Sequence, residues 1–275
     1  MTVIDLNHGW QGWRTEPRDK YGRWTRGDVV KLVKAAAAES TKKPAVPAPA
    51  VAKAVPKNKK VTAEAGAFTN PELEQKAVAE INNALATQSK IVPHIAARLR
   101  ISYGRPETMG RSMGLTGGTK LTFSPKISDA GTGGMASKDA AHYRATGWWA
   151  QADPGKSMTE TTIAHETGHV VFGAIPPEVR YGTELWSGLA KAMHLPPPTK
   201  GQSWGKNPKY KDFADADPWL KENKAAAAEA VSTYGASNSM ELLGELWSEY
   251  TMSSSPRPAA KFYGDYVMQQ LGDKA

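Results

Sequence analysis

The run Pro44-Ala-Val-Pro-Ala-Pro-Ala-Val-Ala-Lys-Ala-Val-Pro56 divides this chain. Each proline removes a backbone donor and restricts the residue before it, so no helix can pass through the run. It predicts an extended, polyproline-like spacer. The surrounding residues 27–66 are rich in Ala, Pro and Lys and read as one disordered, flexible basic linker. Ahead of it lies a short segment, 1–26, with Trp10, Trp13 and Trp24. Behind it, residues 67–275 are enough for one sizeable domain with its own core.

The formal charge of +8 invites a nucleic-acid reading, but its location argues otherwise. Residues 31–60 carry eight lysines against Glu39 alone, and the rest of the chain is close to balanced. The excess therefore belongs to the linker. Its lysines could touch nucleic acid or an acidic surface, and plain solubility is the favoured account. The chain has no cysteine, which excludes disulfides, thiolate metal sites and a cysteine nucleophile. Any metal must bind through His, Asp or Glu. The N-terminal residues lack the charged-then-apolar pattern of a signal peptide, and no stretch approaches 18 apolar residues. The expectation is a protein with no membrane span.

The folded part is expected to begin near Asn70, an N-cap followed by Pro71 and by Glu72 and Glu74 in the first turn. Leu73, Ala77, Ile81 and Leu85 then recur at helical spacing. After Pro93, residues 95–101 read as a second short helix. Leu121-Thr122-Phe123-Ser124 reads as a strand, and residues 147–153 as a second extended piece. Further helices are expected over 157–173, 178–193, 217–233 and 239–250, with a turn at 234–238. The fold class is α+β, mostly helical with a small mixed sheet.

The helix over 157–173 carries His165-Glu166-Thr167-Gly168-His169. Helical positions i and i+4 lie one above the other, so both imidazoles can reach one Zn²⁺ from a single face. Glu166 is too close in sequence to ligate comfortably. It is placed instead as general base toward a metal-activated water. Five-residue matches arise by chance, but Ile163, Ala164, Val170 and Val171 give this helix the apolar character of a buried one.

A catalytic zinc needs a third protein ligand and an open position. No histidine follows soon after His169, and His194 is distant. Glu241 and Glu245 stand at i and i+4 beside Leu242, Leu246 and Trp247. Carboxylates against an apolar stripe need a partner. Glu241 is taken as the ligand and Glu245 as the group orienting a ligand histidine; the bland alternative is a solvated acidic face. Glu249 is read as solvated.

Tyr234-Gly235, Asn238 and Glu241-Leu-Leu-Gly-Glu245 together resemble the ligand helix of the zincin family of the anthrax lethal factor peptidase domain. The resemblance implies a zincin-like fold, Glu241 as third zinc ligand, Glu245 behind the ligands, and Tyr234 as stabiliser of the oxyanion. Gly244 departs from that family, which prefers Ala there. Gly147-Trp148 followed by the 161–169 block is similar to metallopeptidase-like domains of phage minor head proteins. The run Pro17-Arg-Asp-Lys-Tyr-Gly-Arg-Trp-Thr25 resembles an element of actinobacterial phage proteins.

The resemblances imply a phage-encoded zinc endopeptidase acting on a protein or peptide substrate. Residues 1–66 would dock it to capsid, portal or tail proteins, placing it in the virion or the host cytoplasm. The alternatives are a non-enzymatic virion component using the same fold as a docking module, and a secreted toxin-like peptidase. His8, His94, His142, Asp139 and Asp153 are not assigned to metal. The glycine clusters at 114–118 and 131–134 lack the Lys-Ser/Thr of a phosphate loop. Trp148 and Trp149 suit either a substrate groove or the core.

Overall fold

The structure is a computed structural model that describes residues 61–63, 67–104, 120–180, 182–198 and 216–272. The chain divides into two units, Met1–Val55 and Pro56–Ala275. The first unit, with the proposed docking segment 1–26 and most of the linker, lies outside the described residues. No helix among the described residues is long and apolar enough to cross a membrane.

In chain order the second unit starts with β1 (Val61–Ala63), inside the stretch read as linker, so the sheet recruits residues ahead of 67. Helix α1 (Pro71–Ile91) follows, with Asn70 accepting from the Leu73 N–H at 2.8 Å and Pro71 in its first turn. A one-turn α2 (Pro93–Ala96) leads to β2 (Arg100–Tyr103). Residues 95–101 are thus the end of a helix, a turn and the start of a strand. Ile101, Ser102 and Tyr103 are all buried, as suits a central parallel strand covered on both faces. β3 (Lys120–Phe123) completes the sheet.

The strand order is β1-β2-β3 and both pairings are parallel, Val61 opposite Ile101 and Ile101 opposite Leu121. The small sheet is therefore purely parallel among the described residues, not mixed. Residues 147–153 form no strand.

Next come α3 (Asp129–Thr132), α4 (Met135–Ala145) and α5 (Met158–Ala174), the last bearing the two spaced histidines. A single turn, α6 (Pro177–Arg180), precedes α7 (Thr183–Ala192), so the helix expected over 178–193 breaks near Gly182. The helix expected over 217–233 is two, α8 (Ala216–Glu222) and α9 (Lys224–Ala230). Then follow α10 (Ser239–Met252) and α11 (Pro258–Gly272). Neither α4 nor α11 was anticipated.

Two apolar clusters organise these elements. One joins Ala77, Ile81 and Leu85 of α1 to Ile101, Leu121 and Phe123 of the sheet and to Ile163 of α5. The other gathers Val171 and Phe172 of α5, Trp186 and Leu189 of α7, Leu242, Leu246 and Trp247 of α10, and Tyr263 of α11. Helix α5 thus feeds both clusters, which holds it from two sides. Gln88 of α1 adds a polar tie, accepting from Trp247 Nε1 at 3.1 Å and donating to Thr251 Oγ1 at 3.2 Å.

Glu249 is not solvated: it is 1 % exposed. Arg257 covers it, with Nε 2.9 Å from Oε1, and the same guanidinium donates to the carbonyl of Val231 at the end of α9. This pair fastens α9 and the α10–α11 corner together. Removing one partner of a buried pair leaves an uncompensated charge. Arg257→Met is therefore expected to cost about 3 kcal/mol in urea unfolding, and Glu249→Leu in the same chain to recover most of that loss.

Candidate metal centre

Helix α5 is started by a reciprocal cap. Ser157 Oγ accepts from the Glu160 N–H at 3.0 Å, and Glu160 Oε2 accepts from the Ser157 N–H at 2.9 Å. Helix α10 is started by Asn238, whose side chain accepts from the Glu241 N–H at 3.0 Å. The two helices then cross at glycines. A Cβ on Gly168 would stand 2.7 Å from Trp247 Cβ and 3.2 Å from Gly244 Cα. A Cβ on Gly244 would stand 2.7 Å from His165 Nε2 and 2.9 Å from His169 Cε1. Gly244 therefore has a structural reason here: in this packing the space an alanine methyl would take is filled by the imidazoles.

Across that crossing the donors meet. His165 Nε2 lies 3.0 Å from Glu241 Oε2 and 3.1 Å from His169 Nε2, and His169 Nε2 lies 3.9 Å from Glu241 Oε2. One ligand atom from each of His165, His169 and Glu241 falls within 4.8 Å of the others, so the three could hold a metal ion. Two imidazoles and a carboxylate suit a divalent transition ion.

Glu245 stands behind the cluster. Its Oε1 lies 2.8 Å from His165 Nδ1, while Oε2 accepts from the Ala150 N–H at 2.6 Å and from Ser232 Oγ at 2.9 Å. This sets the ring of His165 with Nε2 toward the other two donors. The opposite nitrogen of His169, Nδ1, is buried with no hydrogen-bond partner among the described residues.

Tyr234 precedes the 3₁₀ turn Gly235–Ser237, and its phenol bonds Glu241. Its ring centroid is 5.7 Å from that of His165. Burial raises the Tyr234 pKa, and the charge and bond of Glu241 raise it further, so the phenol stays protonated. Glu166 is buried, 9 % exposed, and its charge also acts on Tyr234. All six residues singled out from sequence are thus brought together. His94 and His194 are exposed and Asp139 is exposed. Asp153 instead accepts from the N–H and hydroxyl of Ser254. Trp148 and Trp149 are half-buried, with Trp149 against Tyr143 at 4.7 Å between ring centroids.

Sequence reasoning missed Ser232, the backbone of 147–150 and the role of the glycines. The last had a visible signal: isolated glycines inside strongly patterned helices usually mark a close approach. The bent backbone of 147–150 serves by its peptide groups, which no side chain announces. The carbonyls of Gly147 and Trp148 accept from the N–H groups of Thr233 and Tyr234, both at 2.9 Å.

Four buried ionisable groups must share their charges. Burial opposes charge on His165, but Glu241 and Glu245 outweigh it and carry its pKa well above the ordinary imidazole range. Burial and the charge of His165 push His169 down to about 4. Burial would raise Glu241, yet the bonds and charge of His165, with His169 and Tyr234, bring it down to about 2.

These shifts have opposite consequences for stability. The stability tied to His165 is complete below about pH 6.5, the ordinary imidazole value, and is lost as pH rises through its higher folded value. Between pH 6.5 and about 4 the unfolded chain protonates the counterpart of His169 first, so stability falls with falling pH. Below 4.5 the lowered Glu241 adds to that fall. The contribution of these groups to the metal-free chain is therefore expected to peak near pH 6.5. Urea midpoints in EDTA at pH 4.5, 6.5 and 8.5 check this, with His169→Gln flattening the acid limb. A second expectation concerns the crossing: Gly168→Ala should separate the helices, cost about 1–3 kcal/mol, and weaken divalent-metal binding measured by titration. Compared with protein families, curated proteins and solved structures, the chain finds no match.

Proposed function

We propose that this chain is a zinc-dependent endopeptidase of zincin type, with His165, His169 and Glu241 as the ligands. The observation that carries the reading is their convergence across the α5–α10 crossing, with His165 aimed by Glu245. The donor set fits zinc: two imidazole nitrogens from α5 and one carboxylate oxygen from α10, a three-ligand set that leaves the fourth tetrahedral position to water or substrate. Bound zinc would supply a Lewis acid that polarises the scissile carbonyl and makes water nucleophilic near neutral pH.

The remaining steps belong to the chain. Glu166 takes the proton of the attacking water and passes it to the leaving amide nitrogen. Tyr234, kept protonated by burial and by Glu241, donates to the oxygen on which charge develops. A peptide strand would add to the outer edge of β3, which pairs only with β2 among the described residues. The stretch 148–152 is the poorer edge, because the Trp148 carbonyl and the Ala150 N–H already bond Tyr234 and Glu245.

Purified chain is expected to hold about one zinc by elemental analysis and to lose it in His165→Ala. Glu166→Gln should keep the metal and cut hydrolysis of a peptide library by about 10²–10⁴-fold. A chain that takes up no zinc even on reconstitution would overturn the reading. If Glu166→Gln left hydrolysis unchanged, the base assigned here would be the wrong one.

A further inference from the structure

Outside the six residues already assigned, Ser232 is a fully buried hydroxyl whose bonds lead directly into the centre. Its oxygen donates to Glu245 Oε2 at 2.9 Å and accepts from the Gly235 N–H at 2.9 Å. Those two bonds bracket Tyr234. On the other side, the Tyr234 N–H donates to the Trp148 carbonyl, and the Ala150 N–H, two residues on, donates to Glu245 at 2.6 Å. The two segments, 147–150 and 232–235, are therefore clamped to each other and to one carboxylate. Gly235 completes the clamp: a Cβ there would meet Ser232 Oγ at 2.9 Å and Glu245 Cβ and Cγ at 3.3 Å.

We propose that Ser232 is a positioning residue that ties the Tyr234 turn to Glu245, so that one carboxylate aligns both the His165 ring and the Tyr234 phenol. The inference deepens the peptidase reading and rests on it for its catalytic meaning. The physical reason is saturation. A serine hydroxyl offers one hydrogen and two lone pairs, and here its hydrogen is committed to Glu245 while a lone pair holds the turn. Without it, Glu245 Oε2 keeps the Ala150 N–H alone, and the Gly235 N–H, buried against that carboxylate, loses its acceptor. The carboxylate can then rotate, and the imidazole rotates with it. Partners behind a ligand histidine typically alter metal affinity or activity about 10–100-fold when removed.

The test compares wild type, Ser232→Ala and Ser232→Cys, the last close to serine in shape but a weak donor. Asn70→Ala, which removes the N-cap of α1, serves as a control destabilised away from the centre. Three quantities are read on the full chain: zinc affinity by competition with a chromophoric chelator, the visible spectrum after Co²⁺ loading, and the His165 ring nitrogen signals in metal-free, ¹⁵N-labelled protein. Both Ser232 variants are expected to bind zinc about tenfold or more weakly. They should also shift the Co²⁺ bands and lose the wild-type Nδ1–H signal of His165, while Asn70→Ala keeps all three. Ser232→Cys covers the case in which the alanine variant folds poorly.

Wild-type affinity, spectrum and ring signal in both Ser232 variants would overturn the proposal. So would equal changes in Asn70→Ala, which would make the effect one of general stability. If wild type itself bound neither zinc nor cobalt, the peptidase reading would fall, and the His165 signal would still decide whether Ser232 aligns the ring.

Discussion

Everything in the candidate centre depends on how closely α5 and α10 approach. The distance is set at Gly168 and Gly244, where the backbone of one helix lies against the Cβ of Trp247 and the imidazoles of the other. Side chains on a helix project over the turn before their own Cα, so donors on facing helices meet only when the axes are near. A larger residue at either glycine forces the helices apart or turns the rings. Trp247 then locks the crossing from behind, buried and bonded to Gln88 of α1. Ser248 adds a polar stitch, donating to the Thr161 carbonyl at 3.2 Å. The centre is supported from both sides: α5 packs into two apolar clusters rather than resting on one.

Burying two histidines and two glutamates together is costly unless their charges cancel. Protonation of His165 offsets part of that cost: its Nδ1–H faces Glu245 and its Nε2–H faces Glu241, while neutral His169 turns Nε2 toward the same spot. A divalent cation could take the place of that positive charge between His165, His169 and Glu241. This explains why the two histidines, four residues apart on one helix face, shift in opposite directions. It also explains why Glu241 stays ionised despite burial.

The polar network extends outward in an ordered way. Glu245 receives hydrogen bonds from a loop peptide and from Ser232, and the loop peptides in turn hold the turn that carries Tyr234. Farther along α10, Glu249 and Arg257 perform a separate task, closing the corner between α10 and α11 and capping the last carbonyls of α9. Three carboxylates spaced four residues apart on one helix thus have three different partners: Nε2 of His165, Nδ1 of the same ring, and the Arg257 guanidinium. Helical spacing put Glu241, Glu245 and Glu249 on one stripe, but the neighbour at each level decided its role.

Local physics determined much from the sequence alone. Asn70 and Pro71 start α1, and the apolar periodicity of 157–173 and 239–250 makes helices. The i and i+4 spacings then put His165 above His169 and Glu241 above Glu245, since such pairs depend only on the 3.6-residue turn. Tertiary structure decided what lies between distant residues. It joined β1 to β2 in parallel across nearly forty residues of chain. It made a strand of residues whose composition also suited a helix, because neighbours on both faces buried Ile101 and Tyr103. It buried Glu249 by supplying Arg257, and it gave Gly147, Trp148 and Ala150 their roles through backbone groups, which every residue type possesses alike. A hydrogen bond from a peptide leaves no mark on the identity of the side chain. That is why the clustered side chains, Glu245 among them, could be read in the sequence, while the peptide groups and the serine that hold Glu245 could not.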